Sequence, residues 1–118
     1  MKLALVVDDD ALVLALTGRW LLEAGYDVVT ASDFPDARAK IQRRKPELVV
    51  TDIRLGDFNG IQLGLLAREA RAGVHLVIIT GWDDPVLRQD AAQLGATYLQ
   101  KPFLAADLLA AIQPAAFT

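Results

Sequence analysis

Five short runs along the chain are apolar almost from end to end: LALVV at 3–7, YDVVTA at 26–31, ELVVT at 47–51, HLVIIT at 75–80 and ATYLQ at 96–100. Alternating polarity would mark a strand with one wet face. Continuous, β-branched runs instead fit strands buried on both faces of a parallel sheet. Segments of helical period separate them. Asp10 is placed to cap a helix reaching about Glu23, with Gly25 as its C′ stop. Ser32 or Asp33 caps the second helix, and Pro35 falls in its first turn, where a missing N–H costs little. Arg43, Arg44 and Lys45 close that helix before Pro46, as cations suited to C-terminal carbonyls rather than as a phosphate patch. A third helix is predicted from after Gly60 to near Gly73, and a fourth from after Asp83-Asp84-Pro85 to before Gly95. A fifth begins after Pro102 and fades by Pro114. Five β-α units in succession predict a doubly wound α/β sheet with right-handed crossovers, and no linker or repeat divides the chain.

Composition narrows the function classes. The 118 residues carry 12 basic and 15 acidic side chains, a net charge of −3, which leaves no basic excess for nucleic acid. There is no cysteine, so disulfides and thiolate chemistry are excluded. No apolar stretch approaches the ~20 residues of a membrane helix, and Lys2 is not followed by a signal-peptide pattern. A cytoplasmic location is the expectation.

In wound α/β folds, ligands bind at the carboxyl ends of the strands. Strand one ends in Asp8-Asp9-Asp10, strand three in Asp52, strand four in Thr80 and strand five in Lys101, whereas strand two ends in Ala31 and Ser32. Carboxylates gathered at one edge repel and need protons or a hard cation. An all-oxygen set without histidine or cysteine favours Mg2+, with Mn2+ as a substitute. Lysine and threonine beside them suit phosphate oxygens. The combination fits phosphoryl transfer to a carboxylate nucleophile.

The segments LVVDDD, VVTDIRLGDFNG, VIIT followed by Gly81, and GATYLQKPF resemble the receiver domain of two-component response regulators, in the right order and spacing from Leu3 to about Ile112. The resemblance implies a flavodoxin-like (βα)5 fold of strand order 2-1-3-4-5. It implies Asp52 as phosphoacceptor, charged by a phosphohistidine of a sensor kinase or phosphotransfer domain. Asp9 would bind the metal directly and Asp8 largely through water, with Asp52 and the backbone carbonyl of Arg54 completing the protein ligands. Asp8-Asp9 is preferred over Asp9-Asp10 as the acid pair because it directly follows the strand, leaving Asp10 as cap. Thr80 would be the switch hydroxyl, Tyr98 the aromatic switch that follows it inward, Lys101 the phosphate-binding cation, and Lys101–Pro102 a cis bond. The output surface would lie around helix four, strand five and helix five. One departure is Gly56, where the family usually has proline; a looser loop is expected. Arg54, Gly81 and Trp82 fall where the family varies, and are expected to line the rim and tune phosphorylation lifetime.

Other expectations follow. Leu12, Val13, Leu16, Trp20 and Leu21 form an inward stripe on helix one. Ala11, Leu14, Ala15, Gly18 and Leu22 form a second face, which is either simply greasy or a docking surface for a kinase helical hairpin or a second copy. Trp20 belongs to the core, and His75 lies away from the strand ends with no catalytic part. The chain is expected to be one receiver domain, 1–118, without an effector domain; Met1 directly before the first strand favours a stand-alone regulator over an excised one. It would be no enzyme beyond self-phosphorylation from small phosphodonors and slow autodephosphorylation. A haloacid dehalogenase-like phosphatase is the alternative, but the chain lacks the Thr or Val expected two residues after the second motif aspartate and the acidic pair expected after the lysine, and it leaves Asp52 unexplained. A nucleotide- or flavin-binding module would need a glycine-rich loop after strand one. A degenerate receiver is the remaining alternative, although every chemical position is filled.

Overall fold

A computed structural model describes residues 2–113. Strands β1 (Leu3–Val7), β2 (Asp27–Ala31), β3 (Leu48–Asp52), β6 (His75–Thr80) and β7 (Thr97–Gln100) form one parallel sheet in the order β2-β1-β3-β6-β7. Between β3 and the third helix lies a small antiparallel hairpin, β4 (Arg54–Leu55) and β5 (Phe58–Asn59). With that hairpin set aside, the strand order is the expected 2-1-3-4-5 of a flavodoxin-like fold. The helices are α1 (Ala11–Glu23), α2 (Phe34–Arg44), α3 (Gly60–Ala70), α4 (Pro85–Gln93) and α5 (Ala105–Ile112). Pro114, the expected end of the last helix, lies outside the described residues.

The central strands β1, β3 and β6 are buried almost throughout because helices cover both faces. The edge strands β2 and β7, expected to be buried too, are largely half-exposed, each having only one neighbouring strand. Along β1, Leu5 and Val7 join a core with Ile41 of α2, Val49 of β3 and Leu63 of α3. Ala4 and Val6 point the other way, into a core with Leu21 of α1, Val50 of β3 and Leu108 of α5. A third cluster, Ile53, Ile78 and Ala91, seats α4 near the sheet edge. Full burial of each large aliphatic side chain contributes about 1.5–3 kcal/mol, so the central strands anchor everything at their ends.

The caps follow local chemistry. Asp10 accepts from the N–H groups of Leu12 and Val13, Asp33 (not Ser32) from that of Asp36, and Asp84 from those of Val86 and Leu87. Asn59 forms a capping box with Gln62, so Gly60 is the first residue of α3. That helix stops at Ala70, short of Gly73.

The inward face of α1 differs from expectation. Thr17, Gly18 and Leu21 are buried and Leu14 packs on the core, whereas Leu12 (66% exposed) and Leu16 (41%) face out. Gly18 is among the buried residues of this face, where a Cβ would make ordinary contact with a Val28 methyl of β2 at 3.6 Å. Trp20 is half-buried at the flank, edge-on to Phe103 with ring centroids 6.1 Å apart.

Candidate functional site at the carboxyl edge of the sheet

The parallel register brings the ends of β1, β3, β6 and β7 to one edge. Asp8, just past β1, is 1% exposed. One of its carboxylate oxygens accepts from the Asp10 N–H at 2.9 Å, and the other accepts from Lys101 Nζ at 3.1 Å. Asp9 is exposed, and Asp10 caps α1. The three adjacent aspartates therefore occupy three environments.

Asp52 ends β3 and is 8% exposed. Lys101 Nζ lies 3.6 Å from its Oδ1. Gly60 allows α3 to start against this point, since a Cβ there would meet the Asp52 carbonyl oxygen at 2.6 Å. Asp8, Asp9 and Asp52 each offer an oxygen, all within 4.8 Å of one another. Burial, then the charge of Asp8, push the Asp52 carboxyl up to about 6, against the pull of Lys101. Burial works against the Lys101 charge, but its hydrogen bond to Asp8 and the charge of Asp52 outweigh it and raise the ammonium. With three carboxylates gathered around a single ammonium, the pocket is short of positive charge.

Thr80 ends β6, 2% exposed; its hydroxyl donates to the Trp82 carbonyl at 2.7 Å and accepts from the Trp82 N–H at 3.3 Å. The Lys101 N–H donates to the Thr80 carbonyl at 2.7 Å, tying the last strand end to the fourth, and Lys101–Pro102 is cis. Gly81 and Trp82 are exposed beyond Thr80. Arg54, from β4, holds its guanidinium 3.8 Å from the Trp82 ring centroid. Tyr98, three residues before Lys101, already lies against Ile78 and Ala91 with its hydroxyl enclosed, while the Thr80 hydroxyl remains on the Trp82 carbonyl. His75 sits at the opposite end of its strand, its imidazole lowered by burial.

Sequence patterns did not reveal the β4–β5 hairpin, whose only local signal is Gly56-Asp57. Gly56 has φ +66°, which suits the first position of a two-residue hairpin turn and is closed to proline. The hairpin is fastened to α2 by Phe58 stacked on Phe34, with centroids 4.3 Å apart. Nor did they reveal that Arg88 of α4 reaches Tyr98, its guanidinium carbon 4.9 Å from the ring centroid. Beside the site, Val13, Leu16, Trp20, Pro102 and Phe103 line a largely apolar groove of about 460 Å3. Among the described residues no helix is long and apolar enough to cross a membrane.

Known proteins resemble this chain in sequence and fold. The profile of the family described as "Response regulator receiver domain" matches residues 4–113. The alkaline phosphatase synthesis transcriptional regulatory protein PhoP of Bacillus subtilis is 35% identical over 103 residues, 86% of this chain and 43% of its own. The acid tolerance regulatory protein ActR of Sinorhizobium medicae is 35% identical over 94% of this chain and 58% of its own. The chain thus spans about half the length of these curated relatives. A CheY-like receiver domain protein from Methanospirillum hungatei superposes with a TM-score of 0.86 at 32% identity, covering 93% of this chain and 89% of that one. A Burkholderia pseudomallei response regulator, solved with a phosphorylated aspartic acid, calcium and citrate, gives 0.87 at 28% identity, covering 96% and 67%. With its sheet order, its clustered strand-end aspartates and a family match over nearly its whole length, this chain belongs to the receiver domains of two-component response regulators.

Proposed function

We propose that Asp52 accepts a phosphoryl group from a phosphohistidine of a sensor kinase or histidine phosphotransfer domain. The observation that carries this reading is the convergence of Asp8, Asp9 and Asp52 within 4.8 Å, with the Lys101 ammonium at 3.1 Å from Asp8 and 3.6 Å from Asp52. In the reaction an Asp52 oxygen bonds to phosphorus and the P–N bond breaks. Its electron pair stays on the imidazole, which takes a proton from solvent. Positioning and charge neutralisation are most of what this transfer requires. Asp52 is the better nucleophile because both Asp8 oxygens are already engaged, one by the Asp10 N–H and one by Lys101. Lys101 holds its proton and offers it to a phosphoryl oxygen.

The oxygen-only donor set and its deficit of positive charge fit Mg2+, with Mn2+ as a substitute, held by Asp9, Asp8 and Asp52 and by the Arg54 backbone carbonyl. When bound, the ion would supply the positive charge that offsets the acids and the incoming phosphate. Thr80, whose hydroxyl now serves the Trp82 carbonyl, turns to a phosphoryl oxygen, and the face formed by α4, β7 and α5 around Tyr98 reads out the change as a population shift. Gly81, Trp82 and Arg54 form the rim that sets how readily water reaches the product. The groove beside Lys101, with exposed Leu12 and Leu16, suits docking of the phosphodonor's helices. Since relatives are transcriptional regulators, a DNA-binding effector is the downstream partner class this reading favours, with homodimerisation through α1 or the α4–β7–α5 face as the other output.

Incubation with acetyl phosphate and Mg2+ tests the assignment. A mass gain of one phosphoryl group, absent in Asp52→Asn, is expected. Turnover of phosphomonoesters through Asp8, with Asp52 dispensable, would overturn it.

A further inference from the structure

Tyr98 is balanced between opposing forces. Its ring packs with Leu87 against Ile53, Ile78 and Ala91, which holds it inward. Its hydroxyl is enclosed without a hydrogen-bond partner. A hydroxyl in that state is worse off than one in water, so the polar tip favours swinging the ring out. A third contact enters from α4. The Arg88 guanidinium carbon lies 4.9 Å from the Tyr98 ring centroid, within range of a cation–π attraction. Arg88 is itself aimed: its Nε and Nη2 both lie 3.0 Å from Oδ1 of Asp83, in the loop between β6 and α4. As an exposed ion pair alone this would contribute little. Its position against Tyr98 gives it a specific effect.

We propose that Arg88, oriented by Asp83, is a positioning residue that keeps Tyr98 turned inward before any phosphoryl group arrives. One half of the switch is preset, and phosphorylation of Asp52 has chiefly Thr80 to move. The inference rests on reading Thr80 and Tyr98 as the switch pair. Apparent affinity for a phosphoryl mimic falls with the fraction of molecules in the competent state, so loss of Arg88 weakens binding at Asp52 without touching the pocket.

The experiment uses beryllofluoride with Mg2+ as the probe and the Tyr98 ring resonances as an independent readout. Arg88→Met keeps chain length and helix propensity but removes the cation. In the free protein its Tyr98 resonances are expected to shift toward solvent-exposed values, and the beryllofluoride Kd to rise by up to about fivefold, the weight of one exposed cation–π contact. Arg88→Lys keeps a cation and restores part of both effects. Asp83→Asn falls between wild type and Arg88→Met. Tyr98→Phe, which deletes the orphan hydroxyl, moves the Kd the opposite way. Unchanged Tyr98 resonances and Kd in Arg88→Met, with only the melting temperature lowered, would overturn the proposal and leave Arg88 a helix-surface residue. Failure of the wild type to bind beryllofluoride in an Asp52-dependent way would overturn the phosphoacceptor reading instead, and the free-protein resonances would still decide whether Arg88 holds Tyr98.

Discussion

Replacing Asp52 with asparagine removes one of two buried carboxylates from a group of three while nearly preserving side-chain shape. In the metal-free protein the folded carboxyl titrates at about 6, against an ordinary 3.8, because burial and then Asp8 disfavour its charge. Below pH 3.8 the group is protonated in both folded and unfolded chains and no penalty exists. Between 3.8 and about 6 the folded chain keeps the proton that the unfolded chain releases, so stability falls as pH rises. Above about 6 both forms are ionised and the full penalty applies. The distance from 3.8 to about 6, at about 1.4 kcal/mol for each tenfold change in proton affinity, amounts to about 3 kcal/mol. Asp52→Asn has no such titration. In EDTA at pH 7 it should be more stable than wild type by up to about 3 kcal/mol, and the difference should shrink toward zero as pH falls to about 4. Urea unfolding of both proteins in EDTA from pH 4 to 8 measures it. Magnesium should reverse the ranking, since only wild type retains all three acids and gains stability by mass action. A pH-independent difference in EDTA, or a wild type that gains on the variant as pH rises through this window, would refute the electrostatic account of the pocket.

Lys101→Met removes the cation that lies against Asp8 and Asp52; phosphorylation by acetyl phosphate should slow by about 10²-fold, a loss comparable to deleting one preorganised charge-stabilising donor. Trp82→Ala removes the ring that Arg54 covers and should admit water, shortening the lifetime of phosphorylated Asp52 in a dephosphorylation time course; an equal or longer lifetime would contradict the rim role. Gly56→Pro introduces the residue usual in the family, yet φ +66° excludes it, so the variant should lose more than about 1 kcal/mol in denaturant unfolding.

Much of the fold was legible in the sequence because its signals are local. Continuous apolar runs mark the strands, of which the central three are covered on both sides, and Asp10, Asp84 and Gly25 mark helix ends through hydrogen bonds and dihedrals that neighbouring residues decide. Once five β-α units are recognised, the right-handed crossover places Asp8, Asp9, Asp52, Thr80 and Lys101 at one edge without any coordinates. The inward face of α1 was not legible in the same way. A helix apolar on several sides has no unique phase, and packing against β1, β2 and α5 settles it only when those elements are in place.

The sequence by itself thus determined the order and kind of elements, their caps, and which chemical groups stand at the strand ends, because each depends on residues a few positions apart. The tertiary structure alone decided how those groups divide their work. It buried Asp8 against Lys101, 93 residues away, left Asp9 in solvent, and raised Asp52 through burial and the nearby charge of Asp8. It also laid Arg54 over Trp82, Phe58 on Phe34 and Arg88 over Tyr98. Such contacts join distant parts of the chain, and both their strength and the charge state they impose depend on distance and desolvation, quantities that exist only after the chain has folded.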